Sequence, residues 1–232
     1  MQLSRRLQAV AGAVTKGNRV ADVGCDHAYI SIYLIENDIA PNVIAMDINK
    51  GPLKRAKENI NNHGYEERIE TRLSDGLHKL KPGEADTILI AGMGGALMTK
   101  ILGEGLDAVD RCRELILQPQ SEIFLVRKFL HRTGFSIGME QMVKEDGKYY
   151  FILKAERKPD MKAYDREVFY RYGRLLLEQR EPLMREYLDR ECRLQNGVIM
   201  ELKSNPTEKA MLRFDEVKQE MLYINEALSY YK

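Results

Sequence analysis

The sequence predicts a doubly wound α/β domain over residues 1–158, followed by an α-helical, coiled-coil-like hairpin over residues 159–232. Three observations predict it. Short apolar runs alternate with helical segments up to about residue 132, the pattern of βαβ units around a largely parallel sheet. Two strand-like runs then flank Glu145-Asp146-Gly147, and Asp-Gly in so short a connection signals a hairpin. Beyond Lys158-Pro159-Asp160 no strand pattern is left, only helix formers.

Leu3, Leu7, Val10 and Val14 make one apolar stripe on a first helix, which Lys16-Gly17-Asn18 ends. The strands follow in order: Arg19–Val23, Val43–Met46, Ile69–Leu73, Asp86–Ile90 and Leu115–Leu117. Helices are expected at about Ile30–Ile35, Gly51–Asn62 and Ile123–Arg132, and one opens after the glycines at 92–95. Ser136–Val143 and Lys148–Lys154 form the hairpin. A parallel sheet finished by an antiparallel hairpin has the outline of the class I methyltransferase fold, but periodicity alone does not name it.

In the C-terminal part, Val168, Tyr172 and Leu175 lie at steps of four and three. Phe214, Val217, Met221, Ile224 and Leu228 repeat such steps, a heptad-like seam that requires a partner helix. That partner is expected to be the earlier helix, interrupted at Pro182 and folded back through Gln195-Asn196-Gly197. Asn205-Pro206-Thr207-Glu208 reads as the start of the last helix, with Asn205 as its N-cap.

Composition excludes several classes. Hydrophobic residues are 44% and charged residues 31%, the balance of a globular protein. No apolar run approaches the ~18–20 residues that span a bilayer, and the N-terminus carries no signal-peptide pattern. Cys25, Cys112 and Cys192 are widely spaced, which argues against a disulfide framework and against a zinc site. No metal is expected, and the expected compartment is the cytoplasm. The formal net charge is +1, so charge alone announces no nucleic-acid partner.

Open α/β sheets bind ligands at the carboxyl ends of their strands, and four such ends carry chemistry here. The first is Asp22-Val23-Gly24-Cys25-Asp26-His27-Ala28-Tyr29. Gly24 permits a sharp turn and a close ligand approach. Asp26 and Tyr29 stand where a dinucleotide fingerprint has its second and third glycines. A pyrophosphate would meet the Asp26 carboxylate, whereas a ligand bearing an ammonium group would be favoured. Asp47, with Ile48 and Asn49, follows the second strand, and a carboxylate there suits the two hydroxyls of a ribose. Ser74, Asp75 and Gly76 follow the third, where an Asp can accept from the exocyclic amine of adenine. Gly92, Met93, Gly94 and Gly95 follow the fourth and let ligands lie against bare backbone. A tight turn or a helix cap would account for any one of these. Their fall at four successive strand ends is what marks a site.

Gly-Cys-Asp-His-Ala-Tyr, the later Ser-Asp-Gly-Leu, Ala-Gly-Met-Gly-Gly-Ala and Leu117-Gln118-Pro119-Gln120 together resemble the bacterial TrmK family, tRNA methyltransferases acting on N1 of the adenine at tRNA position 22. The resemblance covers the whole chain. It implies a class I fold dependent on S-adenosyl-L-methionine (SAM), a coiled-coil-like appendage and tRNA as substrate. It places Gly24, Asp26, Asp47, Asp75, Gly92 and Met93 in the SAM pocket, and the pocket expectation extends to Asp22, Cys25, Ile48, Asn49, Ser74, Gly76 and Gly94 beside them.

One departure from the wider amino-methyltransferases is informative. Enzymes that methylate exocyclic amines commonly carry an acidic or amide residue, then Pro-Pro and an aromatic, after the fourth strand. Gly92-Met93-Gly94-Gly95 lacks those side chains, which fits a ring nitrogen as nucleophile. Asp26 is the candidate to stabilise the cationic product ring, with His27 and Tyr29 to position the base. On the helical hairpin, Arg166, Arg171, Arg174, Arg180 and Arg185 are the candidate tRNA contacts. A solvated helix surface laced with ion pairs accounts for them equally. Two other readings use the same pocket: a SAM-dependent methyltransferase of another RNA or of a small molecule, and a non-catalytic SAM- or tRNA-binding protein.

Overall fold

The computed structural model describes residues 1–158, 162–204 and 207–232. The chain divides into two compact units, Met1–Ala163 and Tyr164–Lys232. The boundary expected at 158 lies just past the last strand of the first unit.

The first unit runs α1 (Arg5–Gly12), β1 (Val20–Val23), α2 (Tyr29–Glu36), β2 (Val43–Asp47), α3 (Lys50–His63), β3 (Ile69–Leu73), β4 (Thr87–Met93), α4 (Gly95–Glu104), α5 (Leu106–Val109), β5 (Glu114–Pro119), α6 (Ile123–Arg132), β6 (Phe135–Glu145) and β7 (Lys148–Arg157). Its seven strands lie in the order β3-β2-β1-β4-β5-β7-β6. The first five are parallel, while β7 enters antiparallel between β5 and β6. Strand order reverses between β1 and β4, and such a switch point opens a crevice at the carboxyl ends.

Burial explains the central strands. Val20–Val23 is buried throughout, and Ile88, Leu89, Ile90, Leu115, Ile116 and Leu117 are 0% exposed. Parallel strands covered on both faces read as continuous apolar runs. Edge strand β3 instead carries Glu70 and Arg72, and Arg72 pairs with Glu70 and Glu84. Ser4 caps α1, whose Val10 and Ala11 join Leu3 and Val14 in the core. At the other end of the sheet from the crevice, Glu114 is buried. It accepts from the Thr15 and Thr87 hydroxyls and pairs with Lys154.

The second unit runs α7 (Glu167–Tyr172), α8 (Arg174–Glu178), α9 (Pro182–Ser204) and α10 (Glu208–Leu228). Val168, Phe169, Tyr172, Leu176, Leu177, Met184, Leu188, Val217, Ile224 and Ala227 form its buried centre. Three expectations are corrected here. Pro182 opens α9, since a helix tolerates proline at its first position. The fold-back does not occur at Gln195-Asn196-Gly197, because α9 continues through these residues to Ser204. A single exposed glycine costs a helix only about 1 kcal/mol, which a 23-residue helix paired along its length absorbs. The N-cap of α10 is Thr207, whose side chain accepts from the Ala210 amide at 3.1 Å. Asn205 and Pro206 lie outside the described residues.

Among the described residues no helix is long and apolar enough to cross a membrane. Nor does any group of three His, Cys, Asp or Glu side chains form a metal cluster there.

Candidate active site

The ends of β1, β2, β3 and β4 enclose a cleft of about 590 Å³, within the range of small-molecule sites. Asp22, Gly24, Cys25, Asp26, His27 and Tyr29 line it from the β1 side. Asp47, Ile48 and Asn49 come from β2, Ser74, Asp75 and Gly76 from β3, and Gly92 and Met93 from β4. Gly94 is the exception among the expected residues. It caps α4 rather than lining the wall, and a Cβ there would stand 3.1 Å from Ser121 Oγ.

The β1 loop is built from unusual backbone. Gly24 has φ +78°, Asp26 +48° and Ala28 +60°, a conformation that Asp tolerates better than Ala does. The amides of Gly24 and Cys25 both donate to the Met46 carbonyl, at 2.8 and 3.0 Å, which anchors the loop to β2. A Cβ on Gly24 would lie 2.3 Å from Met93 Cε, so that side chain would have to shift, and the positive φ of Gly24 itself favours glycine. At the mouth, the His27 and Tyr29 rings stack at 5.2 Å with 13° between their planes. His27 Nε2 stands 3.6 Å from Asp26 Oδ1, and Arg55 approaches the same carboxylate at 3.9 Å.

The carboxylates differ in setting. Asp47 is buried, and its Oδ1 accepts from the Asn49 amide at 2.8 Å. The Asp47 carbonyl accepts from the Ser74 amide, tying the β2 and β3 loops together. Ser74 donates to the Gly76 carbonyl, which leaves Asp75 exposed at the turn. Asp22 is buried and accepts from the Ser31 hydroxyl at 2.6 Å. Burial pushes its carboxyl up to about 6; the Ser31 bonds oppose the shift and Asp47 adds to it. Burial likewise pushes the Cys25 thiol up, with Asp22 and Asp47 reinforcing it. The shift favours the protonated thiol, and Cys25 lines the wall of the cleft.

Several lining residues are not among those expected in the cleft from the sequence. Gln120 comes from the end of β5, Leu97 and Ile101 from α4, and Arg6 and Leu7 from α1. Arg6 Nη1 donates to Gln118 Oε1 at 2.7 Å, and its guanidinium lies over the Tyr150 ring.

Residues 3–153 match the family model described as a methyltransferase domain. The tRNA (adenine(22)-N(1))-methyltransferase of Bacillus subtilis (strain 168) is 41% identical over 165 residues, 71% of this chain and 69% of that protein. The chain belongs to the TrmK family. The solved structure of the B. subtilis m1A22 tRNA methyltransferase TrmK superposes with a TM-score of 0.88 at 31% identity, covering 98% of this chain and 99% of that one. A Streptococcus pneumoniae protein solved in complex with SAM gives 0.87 at 32% identity, covering 98% and 100%. Within the TrmK family frame, the C-terminal unit of this chain is part of the matched fold.

The charged Asp22 of this TrmK-family cleft should oppose folding. A carboxyl raised on folding stabilises the folded state while protonated. That contribution is full below about pH 4 and is lost as pH rises through about 6. Asp22→Asn is expected to melt several degrees above the parent at pH 7.5, with the gap closing toward pH 4, while SAM binding weakens. A lower melting temperature at pH 7.5 would count against the buried charge as the cause.

Proposed function

We infer that the protein methylates N1 of an adenine in tRNA, at position 22, with SAM as the methyl donor. The reading rests on one observation: a cleft at the β1/β4 switch point whose walls are acidic and glycine-rich, in a chain of the TrmK family. The donor set fits SAM. Carboxylates at the ends of β1, β2 and β3 suit a ligand with an ammonium group, a ribose and an adenine amine. A pyrophosphate would be repelled by Asp26 and Asp47. Gly24 and Gly92, both at positive φ, line the cleft without side chains of their own.

When bound, SAM supplies an electrophilic methyl group to the acceptor nitrogen. Asp47 holds the ribose hydroxyls and Asp75 the adenine edge of the donor. The stacked His27–Tyr29 pair at the mouth offers a flat face to the incoming base. No general base is needed, because N1 of adenine has an in-plane lone pair and is neutral at pH 7. Asp26 faces the amino-acid end of the donor and the positive charge that develops on the acceptor ring. Orientation is worth roughly 7–11 kcal/mol in such reactions, so rigid anchoring of the β1 loop to Met46 serves catalysis. With tRNA as substrate, the cytoplasm is the compartment that fits this reading.

The direct test is reverse transcription of tRNA incubated with protein and SAM. N1-methyladenosine blocks Watson–Crick pairing, so a SAM-dependent stop at position 22 is expected. A stop elsewhere, or none, removes the assignment. Asp47→Ala should weaken SAM binding about tenfold or more, since a charge-assisted hydrogen bond contributes about 1.5–3 kcal/mol. Calorimetry on the folded variant showing parental affinity would take Asp47 out of the site.

A further inference from the structure

Gln120 has a side chain that the fold itself does not use. The residue follows β5 and lines the cleft, and its carboxamide has no hydrogen-bond partner among the described residues. Gln118, two residues earlier, is the contrast. It is 0% exposed; its Oε1 accepts from Arg6 Nη1 at 2.7 Å, and its Nε2 donates to the Pro119 carbonyl at 3.1 Å. Resting on the N1-adenine methyl transfer assigned above, we propose that Gln120 reads the N6/N7 edge of the target adenine. Its Oε1 accepts from N6–H, and its Nε2 donates to N7.

Three observations carry this. The first is position. The donor nucleoside is assigned to the ends of β2 and β3, and the sheet order β3-β2-β1-β4-β5 puts Gln120 on the opposite side of the cleft. A base entering there is clear of the nucleoside. A Cβ on Gly92 would lie 3.8 Å from Gln120 Nε2, so the carboxamide reaches over bare backbone at the end of β4. The second is anchoring. The Gln120 amide donates to the Met93 carbonyl at 2.9 Å. The β4–β5 register shifts between Ala91 and Met93, with Gly92 at φ +81°. A bulge of this kind re-aims side chains beside a site, and the amide bond fixes the root of Gln120 against it. The third is the setting. Leu97, on α4, lines the same cleft and is 50% exposed. Apolar surface for a flat ring and a free polar group for its edge are the composition of a small-molecule site.

The edge follows from the reaction. Attack by N1 turns the Watson–Crick side of the base toward the sulfonium methyl, so a residue that gripped N1 would block transfer. N6 and N7 offer the donor and the acceptor that remain, on the other side of the amine. A carboxamide holds an acceptor and a donor in one plane and matches that pair in a bidentate contact. Guanine presents two acceptors there, O6 and N7, and Gln120 Oε1 would face O6 with no proton between them. Gln120 therefore selects adenine by its edge, while the stacked His27 and Tyr29 rings meet its face. It binds substrate and takes no part in bond making.

The test is methyl transfer by the full-length protein to tRNA carrying adenosine or 7-deazaadenosine at position 22. The analogue replaces N7 by C–H and keeps N1 and N6. Intrinsic differences between the two bases cancel when the kcat/KM ratio of a variant is set against that of the parent. The parent should favour adenosine about tenfold more strongly than Gln120→Ala does. Gln120→Glu should move the ratio beyond Gln120→Ala toward the analogue, because its carboxylate repels the N7 lone pair and not a C–H. SAM affinity by calorimetry should stay within about twofold of the parent in both variants. Their melting curves should match it too, since Gln120 is exposed. Equal ratios in the parent and Gln120→Ala overturn the proposal. So does a loss of activity that follows weakened SAM binding, which would give Gln120 to the donor. A parent that methylates neither tRNA removes the reading on which the proposal stands, and the absence of any parental rate sets that outcome apart.

Discussion

Replacing Asp26 by Asn is expected to cut methyl transfer about a hundredfold and leave the thermal transition where it is. The side chain is 65% exposed, and its two ionic contacts are long, 3.6 Å to His27 and 3.9 Å to Arg55. Exposed pairs of that kind contribute about 0–1 kcal/mol to folding. Function is different, because an electrostatic group aimed at developing charge typically contributes 10²–10³ in turnover. Asn is the cleaner variant. With φ at +48°, position 26 suits Asp or Asn, whereas Ala adds about 1 kcal/mol of backbone strain. The two roles assigned to Asp26 separate kinetically. Loss at saturating SAM points to the acceptor cation, and loss recovered by raising SAM points to the ammonium group. Turnover within twofold of the parent would show the assignment to be wrong.

The strand ends of this cleft are legible in the sequence because their chemistry is local. Gly24, Asp26, Gly76 and Gly92 stand at positive φ, and residues suited to that conformation mark the turns directly. Asp47 is visible for a similar reason: an Asp ending an apolar run is conspicuous, and its bond to the Asn49 amide spans two residues. Arg6 is not legible. It meets Gln118 across 112 residues of chain, and nothing in a window of sequence encodes such a meeting. The insertion of β7 between β5 and β6 is hidden likewise, since a hairpin signal says nothing of which strand joins the sheet.

Glycine shows how context overrides local signal. Gly173 has φ +86° and separates α7 from α8, whereas Gly197 lies within α9 and a Cβ there would meet nothing within 4 Å. The residue type is the same, and packing decides the outcome. The arginines of the helical unit make a parallel case. Arg174–Glu178 and Arg185–Asp189 are i,i+4 pairs that spacing suggests. Arg166 and Arg171 instead bond Glu226 and Glu220, 60 and 49 residues away. Of the five arginines considered for tRNA contact, two therefore bridge helices of the unit and two pair within their own helix. Arg180 has no acidic partner among the described residues.

A chain ending at Ala163 is expected to bind SAM like the full protein and to lose most of its affinity for tRNA. The first half follows from position: the loops after β1, β2, β3 and β4, and Arg6 with them, lie within the first unit, which has its own core. The second half follows from the helical unit having no part in that cleft and yet keeping cations on its surface. From residue 158 onward there are fourteen basic and fourteen acidic residues, so attraction to RNA must come from charges left uncompensated locally. Arg180, Arg193, Lys209 and Lys218 are exposed and have no acidic partner among the described residues. Each phosphate contact they make adds to the steepness with which binding falls as salt rises. The full chain should therefore show a steeper salt dependence than the shortened one. Replacing those four residues together by Ala should reproduce part of the difference without exposing any core. SAM affinity and the melting curve of the shortened chain establish that it is folded. A folded chain that ends at Ala163 and still methylates tRNA at the parental rate would place the RNA contacts on the α/β unit alone.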